Sequence, residues 1–338
     1  MSKKTAQDQT TIGKQNKKST LPEDHTGLRK NVAPHAGGPI APGHAATTGP
    51  ETVHKQHASK TARILAIDIG GTGLKAAMLD FQGKMTSERV RVDTPYPCSP
   101  ERMIDTLVAL CEPLGDFDFL SIGFPGVVRD GRVITAPHFD DIDPDDPFAA
   151  GIMQDTDKDE NKGKDDRALK TAGKKDGNAT AWRGFSIGPA VAEALARQRG
   201  APTPPVQLIN DAEMQGLAAI RGRGLELVLT LGTGAGSALF RDGQLMPHLE
   251  LAHHPIRGRK SYNAYVGDRA RRKLGKKKWN QHVRRTIAIL DSLLHFDHLY
   301  IGGGNAQHID FPLPGTITLV SNDAGIEGGA MLWRNVEI

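Results

Sequence analysis

The chain has 338 residues, 38% hydrophobic and 24% charged, with a formal net charge of +4. That length supports a large core, no apolar run reaches the roughly 20 residues of a membrane-spanning helix, and "MSKKTAQDQT" lacks the apolar centre of a signal peptide. The two cysteines, Cys98 and Cys111, exclude a disulfide framework and a cysteine-type zinc site, so a cytoplasmic protein without a membrane partner is expected.

Residues 1–60 carry nine Lys/Arg against four Asp/Glu with almost no apolar periodicity, the composition of a disordered basic tail. From Arg63, "RILAID" and "KAAMLDF" read as two strands joined by a glycine turn. "PERMIDTLVALCEPL" has helical apolar spacing, and "FLSIGFPGVV" reads as a buried strand closed by Pro125 and Gly126. The acidic stretch at about 140–177 lacks the glycine and distal glutamate of a calcium loop, so a flexible surface insertion is expected. "GPAVAEALARQRG" is a helix with a glycine stop, "PVQLIND" a strand that delivers Asn210 and Asp211 to its C-terminal end, and "AEMQGLAAIRG" a helix. "LELVLTLGTGAGSALF" repeats the strand, glycine turn, strand pattern. Arg257 to Arg285 hold twelve Lys/Arg against one acid, Asp268. "VRRTIAILDSLLHF" then reads as a helix, "HLYIGGG" as a strand into a glycine loop, and "AGIEGGAMLW" as a closing helix.

An internal echo points to two lobes. Gly71-Thr72-Gly73 followed by "AAML" at Ala76 recurs as Gly232-Thr233-Gly234 followed by "SALF" at Ser237. In a duplicated α/β fold, ligands sit at the C-terminal ends of the strands, in the cleft that both turns would face. Glycine turns present backbone N–H groups to an anion with no Cβ in the way. Two of them could hold adjacent phosphates of a nucleotide or of a phosphate chain; tight hairpins without a ligand are the alternative. The spacing fits neither a P-loop nor a dinucleotide fingerprint. Asp68, just ahead of the first turn, suits Mg²⁺ held directly or through water, and Thr72, Thr233 and Lys75 could add donors.

"LAIDIGGTGLK", "SIGFPGVV", "INDAEMQGLAA", "LTLGTGAGSALF", "YIGGGNA" and "AGIEGGAMLW" occur in this order. Together they resemble the ROK family of sugar kinases in the actin-like ATPase fold superfamily, over about residues 63–338 apart from the acidic insertion. "HLELAHH" with the basic segment after it looks most like the polyphosphate-using branch of that family. The resemblance implies an α/β, two-lobed, duplicated ribonuclease H-like fold with a central cleft. The lobes are expected at 61–185 and 186–338, with the final helix packing near their junction.

The resemblance further implies transfer of a phosphoryl group from polyphosphate or ATP, with Mg²⁺, to the 6-hydroxyl of glucose. Another hexose, or a non-catalytic sugar-responsive regulator, is the alternative; a homodimer is the family's expectation. Asp68, Gly70, Gly71, Thr72, Gly73 and Lys75, with Gly232, Thr233, Gly234 and Gly236, become phosphate loops. Gly302, Gly303 and Gly304 lie near the nucleoside if ATP binds. Asp211 becomes the general base that accepts the hydroxyl proton, although an "ND" pair is also a good helix cap. Asn210, Glu250 and His253 become sugar-binding residues, with Ala252 where the family has glycine. Asn178 is the choice over His138 for a further asparagine contact. The family's cysteine-rich zinc loop has no counterpart here, and its second sugar-binding glutamate has no clear match.

The basic segment is either a solvated helix face or a track for a polyanionic donor, formed by Arg269, Arg271, Arg272, Lys273, Lys276, Lys277 and Lys278. A nucleic acid is the lesser partner: aromatic residues are sparse there and no RNA- or DNA-binding pattern is present.

Overall fold

The computed structural model describes residues 62–137, 139 and 179–334, all within one compact unit. The basic tail, the acidic insertion and Asn178 lie outside the described residues.

The first half is built on a five-stranded sheet in the order β3-β2-β1-β4-β7. The strands β1 (Ile64–Ile69) and β2 (Leu74–Leu79) pair antiparallel across the first glycine turn. The short strand β3 (Val90–Val92) forms the edge, while β4 (Phe119–Phe124) and β7 (Val206–Asn210) run parallel to β1 on the other side. Every residue of β1 and β4 is buried, as in a strand covered on both faces, so each reads as a near-continuous apolar run. A small hairpin, β5 (Val128–Arg129) and β6 (Arg132–Val133), follows β4. On one face of the sheet, Leu65, Ile67 and Ile122 pack with α1 (Pro100–Cys111), α3 (Ile187–Arg199) and Trp182 of the short α2 (Ala179–Trp182). Ser99 caps α1 through the Arg102 N–H, and Gly200 ends α3 in the left-handed conformation (φ 62°), a standard helix stop.

The second half repeats the plan: β10-β9-β8-β13-β14. Here β8 (Leu225–Leu231) and β9 (Ala235–Arg241) pair across the second glycine turn, and β10 (Gln244–Leu245) is the edge. The strands β13 (His298–Gly302) and β14 (Ile317–Leu319) are parallel to β8. A hairpin, β11 (Pro255–Arg257) and β12 (Lys260–Ser261), leads into α5 (Tyr262–Val266) and the long α6 (Asp268–Leu294), which cover one face. The expected helix at "VRRTIAILDSLLHF" is only the second part of α6. Its first part is too rich in charge to show an apolar stripe, and Gly275 (φ 73°) breaks the helix between the two.

The remaining faces are covered by exchange. The helix α4 (Asp211–Ala219) leaves the end of β7 and lays Ala212 and Leu217 on Val228, Ala238 and Phe240 of the second sheet. The last helix, α7 (Ala324–Met331), lays Ile326 and Ala330 on Ile64, Ala66 and Phe119 of the first. The two helices touch each other through a glycine: a Cβ on Gly328 would stand 1.7 Å from the Met214 carbonyl oxygen. Both α3 and β7 belong to the first half, because β7 bonds to β4 and α3 packs on the face shared with α1; the change-over falls at α4. No helix among the described residues is long and apolar enough to cross a membrane.

Candidate active site

Both glycine turns and the N-terminus of α4 open into one cleft of about 550 Å³. In the first turn the Gly70 N–H donates to the Gly73 carbonyl (3.1 Å), and in the second the Gly232 N–H donates to Gly234 (3.0 Å). Thr72 and Thr233 sit exposed at equivalent places on the cleft wall. Glycine is required at Gly234 by a close neighbour: a Cβ would come within 2.3 Å of Asn263 Oδ1, which accepts the Ala235 N–H. At Gly303 the backbone is left-handed (φ 80°), and a Cβ would meet the Leu231 carbonyl at 2.4 Å, so only glycine fits. Gly303 and Gly304 line the cleft. Gly302 instead packs against the Gln215 side chain.

Asp68, at the end of β1, is nearly buried and accepts from Lys75 Nζ at 2.8 Å. Lys75 thus points at the carboxylate and not to solvent. Two arginines that sequence reasoning passed over, Arg89 and Arg91 beside the edge strand β3, also line the cleft. Arg89 pairs with Asp323, and Arg91 with Asp93. Edge strands this short carry little periodicity, so neither arginine had a pattern to mark it.

Asn210 is the N-cap of α4. Its Oδ1 accepts the N–H groups of Ala212 (2.9 Å) and Glu213 (3.3 Å), and Glu213 returns a carboxylate oxygen to the Asn210 N–H (3.2 Å), a capping box. Asn210 Nδ2 donates to the carbonyls of Phe124 and Gly126. Both amide hydrogens are therefore committed, and Asn210 orients α4 whatever else it touches. Asp211 is the first residue of that helix and faces the cleft. Burial, then the charge of Asp68, pushes its carboxyl up to about 7; the Ala212 N–H pulls the other way, and Glu250 adds repulsion.

Glu250 lines the cleft with Oε1 accepting the Ala252 N–H at 2.8 Å. Its other oxygen reaches His248, a residue missed in the sequence although it lies two positions away on the same stretch. His253 does not reach the cleft wall: it is 7% exposed, and neither ring nitrogen has a hydrogen-bond partner among the described residues. Of the basic segment only Arg271 lines the cleft; it pairs with Asp268, as does Arg272. Arg269, Arg272, Lys273 and Lys276–Lys278 are exposed on α6, with Lys276 3.5 Å from Asp310.

No group of three or more His, Cys, Asp or Glu side chains among the described residues could hold a metal. Beside the glycine turns the cleft offers Asp68, and Asp268 at the second turn, whose carboxylate Arg271 and Arg272 already engage. That donor set suits Mg²⁺, which is bound through one or two carboxylates while phosphate oxygens and water complete its octahedron. Both cysteines are buried, and burial raises their thiols to about 11 and about 12, which leaves them unreactive.

A family model described as ROK family matches residues 64–185. A polyphosphate glucokinase of Mycobacterium tuberculosis is 27% identical over 305 residues, 84% of this chain and 96% of the relative. Among solved structures, an inorganic polyphosphate/ATP-glucomannokinase from Arthrobacter sp. strain KM is 25% identical. It superposes with a TM-score of 0.59 over 80% of this chain and 98% of its own. A ROK family glucokinase from Streptomyces griseus, solved with glucose and AMPPNP, is 17% identical and shares the fold at a TM-score of 0.52, over 80% and 99% of the two chains.

Proposed function

We propose that this chain, whose residues 64–185 match the ROK family model, is a sugar kinase acting on the 6-hydroxyl of glucose, with polyphosphate or ATP as donor. The observation that carries the reading is the placement of Asp211, first residue of a capped helix on the wall of the cleft into which both glycine turns open. Burial raises its carboxyl to about 7, and a base that titrates near neutrality accepts a hydroxyl proton efficiently from its ionised fraction. The glycine-turn N–H groups, with Thr72 and Thr233, would hold the transferred phosphoryl group and its neighbour in the donor. Lys75 would counter charge beside Asp68, which would hold Mg²⁺. Bound there, Mg²⁺ neutralises charge on the donor phosphates.

Glu250 would accept sugar hydroxyls on the other side of Asp211. Polyphosphate is supported as donor by the relatives and by the exposed cations of α6. The glucomannokinase likeness brings mannose in as the second sugar to try.

The test is sugar-6-phosphate formation with Mg²⁺, comparing polyphosphate with ATP and glucose with mannose, in wild type and Asp211→Ala. Turnover that falls by about 10²–10⁴-fold in the variant is expected for loss of a general base. A wild-type protein that phosphorylates neither sugar from either donor sinks the proposal.

A further inference from the structure

His248 has no part in the roles assigned above, yet it joins two of them. Its Nδ1 lies 2.8 Å from Glu213 Oε1, and its Nε2 lies 3.4 Å from Glu250 Oε2. A neutral imidazole has one N–H and can donate to only one of these carboxylates; the imidazolium has two and can donate to both. The carboxylates are themselves anchored. Glu213 gives its other oxygen to the Asn210 N–H in the capping box, and Glu250 gives its other oxygen to the Ala252 N–H. A continuous chain of hydrogen bonds therefore runs from the cap that orients Asp211, through Glu213 and His248, to Glu250.

We propose that His248 is a positioning residue: as an imidazolium it clamps Glu250 to the cap of α4, so the carboxylate that accepts sugar hydroxyls keeps a fixed separation from the Asp211 base. The proposal rests on the sugar-kinase reading for the roles of Glu250 and Asp211. The charged groups that face the ring are Glu213 from α4 and Glu250 from its own segment. Burial opposes the ring's charge, but bonds to both carboxylates raise it, to about 9. The clamp is then complete through neutral pH and loses one of its two bonds when the ring gives up its proton.

The test measures kcat and both KM values from pH 6.5 to 10 for wild type, His248→Gln, Glu213→Gln and the double variant. Nitrogen-15 NMR of histidine-labelled wild type follows the ring in parallel. Loss of a charge-assisted hydrogen bond predicts a sugar KM raised by about tenfold in His248→Gln, with the donor KM unchanged. The wild-type sugar KM should climb as pH passes about 9, and the variant should lack that climb. Because both changes cut the same chain, the double variant should be no worse than the poorer single one.

An unchanged sugar KM in His248→Gln overturns the proposal, as does a parallel loss in both KM values, which a general loosening would cause. If His248→Gln does not fold, wild type decides alone: a ring that titrates below pH 7 overturns the clamp, and one that titrates near 9 supports it. If wild type phosphorylates no sugar, it is the kinase reading that fails, and the same titration still tells whether the ring bridges Glu213 and Glu250.

Discussion

Asp211 carries two opposed consequences of one placement. Its folded-state carboxyl titrates near 7, well above the ordinary 3.9 or so of an aspartate. Activity that needs the ionised base should therefore show an acid limb in kcat/KM centred near pH 7. For stability the sign is reversed. The folded protein holds the proton more tightly than the unfolded chain, so the native state loses stability as pH rises from about 4 through 7. Asp211→Asn, which cannot ionise, should raise Tm relative to wild type at pH 8, with the gain vanishing near pH 4, while turnover is lost. Thermal melts of the two proteins across that range check it, and equal melting points at both pH values would show that the carboxyl is not strained by its surroundings. Some of this neighbourhood was legible in the sequence. Asn210 and Glu213 stand at capping-box spacing, a local pattern. His248 and Glu213 meet only because α4 and the segment after β10 converge on one cleft, which no local pattern reports.

At the scale of elements, α6 decides between a donor track and a solvated face. Lys276–Lys278 follow the break at Gly275 and are exposed. Among the described residues their one ion pair, Lys276 with Asp310, is a surface contact, worth about 0–1 kcal/mol. The triple variant K276E/K277E/K278E should therefore melt within a few degrees of wild type. If these cations meet a phosphate chain, its polyphosphate KM rises several-fold, most at low salt, while its ATP KM stays put. Identical polyphosphate kinetics at low salt would return the segment to plain solvation. Arg271 and Arg272 contribute less to such a track, because Asp268 already engages both. The longer strands, β1, β2, β4, β7, β8, β9 and β13, and most helices were readable from apolar runs and stop signals, while the strands of two or three residues were not. The first part of α6 was not, since Ala270 is its one buried position before the break at Gly275 and sets no period.

Across the whole molecule the duplicated sheets were visible as the glycine-turn echo, and the exchange of helices was not. Which helix covers which sheet depends on pairings far apart in sequence, such as α4 on Phe240 and α7 on Ile64. The exchange places a glycine at the crossing, where α7 lies against the backbone of α4. Gly328→Ala must displace one helix from the other, since its new methyl would overlap the Met214 carbonyl. Destabilisation of about 1–3 kcal/mol is expected from such overpacking. Because α4 carries Asp211, kcat should fall as well. A chemical-denaturation midpoint with a kcat measurement checks both, and a variant matching wild type in each would mean the helices part without consequence. The same exchange sets an order of events during synthesis. Ile64, Ala66 and Phe119 of the first sheet are sealed by Ile326, Ala330 and Trp333, with Trp333 Nε1 donating to Ser121 of β4. A nascent chain must emerge as far as Trp333, past the whole second sheet, before that apolar face of the first sheet can close.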